Sequence, residues 1–350
     1  MIRFEPRAGV PLALRVGTSL GAVAAALLIS AIPLAAAGAP ILKAFGLMAQ
    51  GAAGSLFAFT ETLTRATPLI FTGLAAAVAF RARLYNIGAE GQLYAGALAA
   101  VAVGSGTISA TPFVLVPLIL IVAAMAGALL MLGPTLLRVK LGVDEVVTTL
   151  LLNFVVLLFV QMMLEGPLKD SMGGGWPQSA PIVTEGSLPV LVTRTRLHAG
   201  FLLALVASVV MYVLIARTRL GLAIRAVGEN QAAARFAGIQ VTRVMVLVGL
   251  LSGALAGLAG ASEVAGLKGY LTADMSRGFG YAGIVVAMVA SLAPLAVIPS
   301  AIFIAGIFVG ADTMGRTLGV SNYIADLIVS LALLCVLASG LFLRFRIRFG

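Results

Sequence analysis

The chain has very little of the chemistry from which most enzymes are built. Its 350 residues include one cysteine and one histidine. Cys335 stands alone inside an apolar run, so no disulfide can form within the chain. His198 has no second histidine with which to form a paired metal motif, and the Ser-His route to a nucleophile is correspondingly weak. There is no G-x-x-x-x-G-K-[ST] loop to cradle nucleotide phosphates and no H-E-x-x-H. Charge is scarce as well, at 10% of residues, where a soluble globular chain carries about 25%. Nothing in the sequence points to catalysis.

What fills the space is apolar. Hydrophobic residues make up 61% of the chain and the mean hydropathy is +1.12. No water-facing fold could bury that much apolar surface, so the composition indicates a multi-pass membrane protein in a lipid bilayer. The formal net charge of +10 does not signal nucleic acid. The lysines and arginines form short clusters at the ends of apolar runs, as loop charges on a bilayer do, with no aromatic-interleaved basic face.

Spanning the hydrocarbon takes ~20 residues of helix. On that measure, spans are expected near 17–37, 61–80, 92–110, 112–137, 146–164, 200–216, 244–266, 281–293, 296–314 and 324–343. The run 281–293 is short for a full crossing, and the Gly/Ala-rich run 44–60 reads as an interfacial or re-entrant piece. Run 17–37 follows Arg3, Arg7 and Arg15 as a signal peptide would, but its length and the spans after it favour a retained first helix. With the N-terminus in the cytoplasm, 15 of the 23 lysines and arginines fall inside and eight outside, which agrees with the positive-inside rule. The expected fold is therefore an all-α membrane protein of about ten transmembrane helices, some broken or re-entrant, with both termini cytoplasmic. The expected organisation is one transmembrane domain over 1–350, with a cytoplasmic tail at 1–16, an extracytoplasmic loop at 165–199 and a cytoplasmic segment at 217–243.

Three groups of polar residues could carry function. "RARLYNIGAEGQLYAG" (Arg81 to Gly96) sets polar residues between two apolar runs. Asn86, Glu90 and Gln92 could offer hydrogen bonds along a solute path. They could equally brace a turn, with Glu90 paired to Arg81 or Arg83 and Asn86 capping a helix. "RTRLGLAIRAVGENQAAARFAGIQVTR" (Arg217 to Arg243) mixes alanines with charges at helical spacing and then meets Gly238, as a short helix with a glycine cap would. Polar residues inside or near other spans are Asn153, Gln161, Ser252, Glu263 and Asp312. Asn153 could face a pathway or bond a neighbouring helix. Glu263, near the outer end of its span, could be a gate residue or simply wet. Asp144 and Glu145 suit a helix N-terminus.

Four stretches taken together resemble the permease subunits of bacterial ABC importers for simple sugars, branched-chain amino acids and nucleosides. They are "PLIFTGLAAAVAFRARLYNIGAEGQLYAGA", "KLGVDEVVTTLLLNF", "RTRLGLAIRAVGENQAAARFAGI" and "SGALAGLAGASEV". "NIGAEGQ" with "EVVTTLLLN" looks most like the nucleoside-type branch. Gln231 departs from the proline common after "GEN", and "LAPLAVI" lacks the polar residues often found at that turn.

The resemblance implies a transport subunit without an ATPase site of its own. A separate ABC ATPase chain would bind ATP and Mg, and an extracytoplasmic solute-binding protein would deliver a small polar solute. It also implies a second permease chain, as a heterodimer or a homodimer, and a bacterial cytoplasmic (inner) membrane location. Arg225, Gly228, Glu229, Asn230 and Gly238 match the motif of the helix that docks on the ATPase. The candidate pathway residues are Asn86, Glu90, Gln92, Asn153 and Glu263. A simple-sugar permease and a stand-alone ion-coupled transporter, using a carboxylate such as Glu90 or Glu263, are the competing readings. A membrane-embedded enzyme is weaker than either.

Overall fold

The structure is a computed structural model that describes residues 2–6 and 12–349, with side chains over 24–321 and 323–339. Residues 1 and 7–11 of the expected N-terminal tail lie outside the described residues. Thirteen helices follow one another among the described residues: α1 (Leu12–Ala36), α2 (Ile41–Ala53), α3 (Leu56–Arg81), α4 (Ala89–Gly104), α5 (Pro112–Leu141), α6 (Glu145–Glu165), α7 (Gly200–Arg217), α8 (Arg219–Glu229), α9 (Gln231–Phe236), α10 (Val241–Ser262), α11 (Phe279–Val289), α12 (Pro294–Leu318) and α13 (Asn322–Arg344). The expectation of a helical chain holds except at its ends, where β1 (Ile2–Pro6) and β2 (Phe345–Phe349) pair antiparallel.

Each of the ten expected spans falls on a helix, but not every helix is long enough to cross alone. Among the described residues, six are long and apolar enough: α3, α5, α6, α7, α10 with its continuation to Lys268, and α12. A seventh is reached if α1 and α2 form one broken span, since they meet at a bend of 119°. That bend, at Gly38 (φ +70) and Pro40, resolves the ambiguous run 44–60 into α2 and the start of α3. The 16 residues of α4 and the 11 of α11 rise only ~24 and ~16 Å, against a hydrocarbon core of ~30 Å.

Local chemistry sets many of the helix ends. The α5 helix starts with Pro112, whose missing N–H costs nothing at that position. It stops at Gly142 (φ +69), whose amide returns to the Arg138 carbonyl. Asp144 then caps α6, its side chain accepting from the Val146 amide at 2.8 Å, as the sequence suggested. Only 22% of the apolar window of α6 is buried: Val156, Val160 and Leu164 pack inward, while Leu151, Phe154, Val155, Leu158 and Phe159 face outward as a lipid-contacting surface would.

The chain divides into two compact units, Met1–Arg65 with Ile302–Gly350 and Ala66–Ala301. In the first, α1 packs on α13, and Gly51 of α2 lies against Thr313 of α12. Arg65 and Asp312 form an ion pair at 3.7 Å in this unit. The core of the second is a crossing of α10 with α4 and α5, made at backbone contact by glycines. A Cβ on Gly257 would meet the Ala123 carbonyl, one on Gly127 the Gly253 carbonyl, and one on Gly260 the Leu93 carbonyl. The small residues of "SGALAGLAGA" are thus a packing face on two sides, the usual device for close helix approach in membranes.

Beyond Ser262, α10 widens into a π turn, Glu263–Lys268, that ends at Gly269 (φ +79). The loop 166–199 is strapped to this turn and to the residues after it. The Leu188 amide donates to the Ala265 carbonyl (2.8 Å), Ile182 to Gly269 (2.7 Å) and Ser179 to Leu271 (3.0 Å). His198 is fully buried there, with Gly200 and Gly266 leaving the space its ring occupies. Burial holds its imidazole down at about 4, whereas an unfolded histidine protonates near 6.5. Between those values only the unfolded chain takes up the proton, so stability is complete above about pH 6.5 and falls as the pH drops towards 4. The expected loss is on the order of 3 kcal/mol. It should appear as a steeper fall in thermal stability between pH 7 and 4.5 for the parent than for His198→Gln. Parallel pH profiles for the two would show that His198 is not the titrating group.

Candidate functional site

The break between α3 and α4 is the most polar part of the buried interior. The α3 helix ends at Arg81, and Arg83 takes a left-handed conformation (φ +54) that turns the chain back. Asn86 and Gln92 are 0% and 1% exposed and bond each other through both amides, at 2.8 and 3.0 Å. Asn86 also donates to the Ser252 hydroxyl of α10 (2.9 Å), which donates to the Ala75 carbonyl of α3 (2.8 Å). Its Oδ1 accepts from the Gly88 amide at 2.9 Å, which closes the turn before α4.

From the other side, α6 presents three polar side chains at successive i, i+4 positions of one face: Glu145, Thr149 and Asn153. Glu145 accepts from the Tyr85 amide (3.2 Å), Thr149 Oγ1 from Ile87 (3.2 Å) and Asn153 Oδ1 from Gly91 (2.8 Å). The Asn153 amide group donates in turn to the Ile87 carbonyl (2.9 Å) and the Tyr281 hydroxyl of α11 (3.1 Å). Helix breaks expose backbone groups that lipid cannot satisfy, and this ladder supplies their partners. "NIGAEGQ" and "EVVTTLLLN" are therefore two halves of one interaction. Arg138 closes the lower rung through an ion pair with Glu145 at 3.1 Å.

Glu90 is 4% exposed, and its partners are not the arginines that charge alone suggested. Its carboxylate accepts from the Gly280 amide at 2.6 Å, and from the Ser276 hydroxyl and the Gly278 amide, at the N-terminus of α11. Oriented helix amides serve a buried carboxylate as a cation would. Arg81 instead donates to the Leu292 carbonyl at 2.9 Å. The structure thus gathers Asn86, Glu90, Gln92 and Asn153 at the α3–α4 turn, and places Glu263 elsewhere, buried in the π turn.

Asn153→Ala separates bracing from solute contact. It removes the acceptor of a buried amide, a change that costs roughly 1–3 kcal/mol for each group left unsatisfied. A drop of about 2–3 kcal/mol in unfolding stability is expected, measured on the detergent-purified chain. Unchanged stability with loss of solute affinity would instead put Asn153 on the solute.

The segment 217–243 folds as a helix pair. The Thr218 hydroxyl caps α8 by accepting from the Gly221 amide (3.1 Å). Asn230 breaks the helix and caps α9, accepting from the Ala232 and Ala233 amides at 2.9 and 3.1 Å. Gly238 (φ +83) ends the pair, as its position suggested. Gly221, Ile224, Val227 and Gly228 face inward, and a Cβ on Gly228 would strike the Arg81 carbonyl. Arg225 and Glu229 are exposed. Two further residues of the pair that charge patterning missed are exposed: Leu222 is 60% exposed and Phe236, at the tip of α9, 96%. The signal available was a phenylalanine set among alanines and charges where no apolar periodicity required one.

Comparison with known proteins shows which family the chain is similar to. The family described as branched-chain amino acid transport system / permease component matches residues 58–337. A glucose ABC transporter permease protein of Haloferax volcanii is 37% identical over 329 residues, covering 91% of this chain and 86% of its own. A guanosine ABC transporter permease protein of Bacillus subtilis is 34% identical over 293 residues, covering 83% and 84%. A nucleoside ABC transporter permease protein of Lactococcus lactis is 31% identical over 293 residues, covering 79% and 80%. No solved structure matches the chain. With a match over most of its length, several apolar spans and a polar break braced inside them, the chain belongs to the ABC permease family of branched-chain amino acid transport system permease components.

Proposed function

We propose that the chain is the pathway-forming subunit of an ATP-driven importer for a polar solute, delivered by an extracytoplasmic binding protein. The observation that carries this is the α8–α9 pair: two capped helices with a packed inner side that expose Phe236, Leu222 and several arginines. Such exposed groups suit an acidic, apolar-floored groove on an ATPase subunit. Arg225 and Glu229 would make the polar contacts there, while Gly228, Asn230 and Gly238 shape the helices. On this reading ATP and Mg belong to the partner chain, this subunit performs no covalent chemistry, and a second permease chain completes the pathway. The location would be the bacterial cytoplasmic membrane, with the ten helices of the sequence reading crossing or entering it and both termini in the cytoplasm.

Nucleosides are the first solute class to test, supported by relatives named for guanosine and nucleosides. A simple sugar is the second reading, favoured by the relative named for glucose. Both classes are neutral and hydroxyl-rich, which suits a path bordered by amides and carboxylates held in place, such as Asn86, Glu90, Gln92, Asn153 and Glu263. The deciding experiment is solute-stimulated ATP hydrolysis by the co-purified complex against a panel of nucleosides and hexoses. Stimulation by nucleosides alone supports the first reading, by hexoses alone the second, and by neither class removes both.

A further inference from the structure

We propose that Arg81 and Glu90 are the positioning residues that seat the half-length helix α11, and that Arg81 carries movements of α8 to it; the second part rests on the ATP-driven reading above. Both ends of α11 run into left-handed backbone. Gly278 (φ +78) precedes it, and Ser291 (φ +50) and Leu292 (φ +60) follow it, two consecutive residues that carry a Cβ in a region that disfavours one. A helix of 11 residues so bounded has little intrinsic stability and depends on what holds its ends.

Both ends are held by charges of the sign its dipole calls for. The Glu90 carboxylate sits on the N-terminal amides, 2.6 Å from the Gly280 nitrogen, and the Arg81 guanidinium donates at 2.9 Å to the Leu292 carbonyl past the C-terminus. The two side chains flank a single turn, between α3 and α4, so one stretch of chain grips both ends of α11. The contact is tight along its length. A Cβ on Gly280 would meet the Glu90 backbone, and one on Gly283 would meet Thr72. The main chain of that same Arg81 is the surface on which α8 rests, since Gly228 leaves no room for a Cβ against the Arg81 carbonyl. A displacement of α8 therefore reaches Arg81 directly, and through its side chain reaches the strained end of α11. The relay runs through the Arg81 backbone towards α8 and through its guanidinium towards α11.

Hydrogen–deuterium exchange on the complete detergent-purified chain tests the seating. Glu90→Ala is expected to raise exchange at least tenfold at amides 280–283, and Arg81→Ala at 290–293, with α4 and α10 unchanged. Arg81→Lys should restore part of the protection at 290–293. No rise, or a rise spread evenly over α4 and α10, overturns the seating. The relay is tested in proteoliposomes holding the complete complex, by solute taken up per ATP hydrolysed. Arg81→Ala is expected to lower this ratio at least tenfold, while Arg83→Ala, at the exposed neighbouring arginine, leaves it near the parent value. Equal ratios for the two variants overturn the relay. Parent complex that fails to couple uptake to ATP defeats the functional reading instead, and leaves the exchange result to decide the seating.

Discussion

Gly127→Leu is expected to abolish accumulation of folded chain, while Gly133→Leu, on the same helix, leaves it at the parent level. The difference follows from what each missing side chain would meet. At Gly127 a Cβ would run into the Gly253 carbonyl, with the Gly257 nitrogen at 2.9 Å and its Cα at 3.0 Å. All three neighbours are backbone, so no rotamer change can relieve the clash. The α5–α10 crossing would have to open, and α10 is also locked to α4 through Gly257 against Gly96 and Gly260 against Leu93. Overpacking an ordinary core costs about 1–3 kcal/mol. Parting two backbone-contact interfaces at once should exceed about 4 kcal/mol, a large part of the ~5–15 kcal/mol available to a folded protein. At Gly133 a Cβ finds nothing within 4 Å. Size-exclusion profiles of the two variants in detergent decide the matter. A monodisperse Gly127→Leu with parental thermal stability would mean that α5 and α10 do not cross at glycine contact.

On the docking surface proposed for α8–α9, Phe236→Asp is expected to leave the chain folded and to release it from the ATPase subunit. Phe236 is 96% exposed, so its replacement removes no packing within the chain and should not change its unfolding temperature. An aromatic anchor at the centre of an interface carries 2 kcal/mol or more of binding, roughly a thirtyfold change in affinity, and a carboxylate facing an acidic groove adds repulsion. A loss of at least about thirtyfold in affinity for the ATPase subunit is therefore expected, read by titration of the two purified partners. Phe236→Leu should recover part of it. Undiminished affinity in Phe236→Asp would move the docking surface away from the tip of α9.

Much of this architecture could be read from local pattern, and the misses share a cause. Asp144 before a long apolar run, and Gly238 after an alanine-rich one, announce helix ends by residue type alone, and both fall where the pattern placed them. The polar break at "NIGAEGQ" was legible as a break, because no uninterrupted lipid-facing helix carries those residues. Its partners were not. Glu90 reaches an amide 190 positions away, and Asn86 a hydroxyl 166 positions away, distances over which sequence spacing carries no information. Charge complementarity suggested an arginine for Glu90, but the free amides of a helix N-terminus satisfy the same carboxylate and give no sign in composition. The polar spacing of Glu145, Thr149 and Asn153 was visible in the sequence, yet Glu145 was accounted for as a helix start and Asn153 as a lone polar residue within a span, which hid the common face they share with Thr149. Likewise the length rule marked 281–293 as too short to cross, which α11 bears out, without revealing that both its ends are held from one turn.

The chain is proposed to move solute at the expense of ATP hydrolysed by a partner. Uptake of labelled guanosine or glucose into proteoliposomes containing the assembled complex, with ATP enclosed and the proton gradient collapsed by an ionophore, tests it most directly. Uptake that requires ATP and persists without the gradient is the expected result. Uptake that disappears with the gradient and is indifferent to ATP would contradict it and make the chain an ion-coupled transporter.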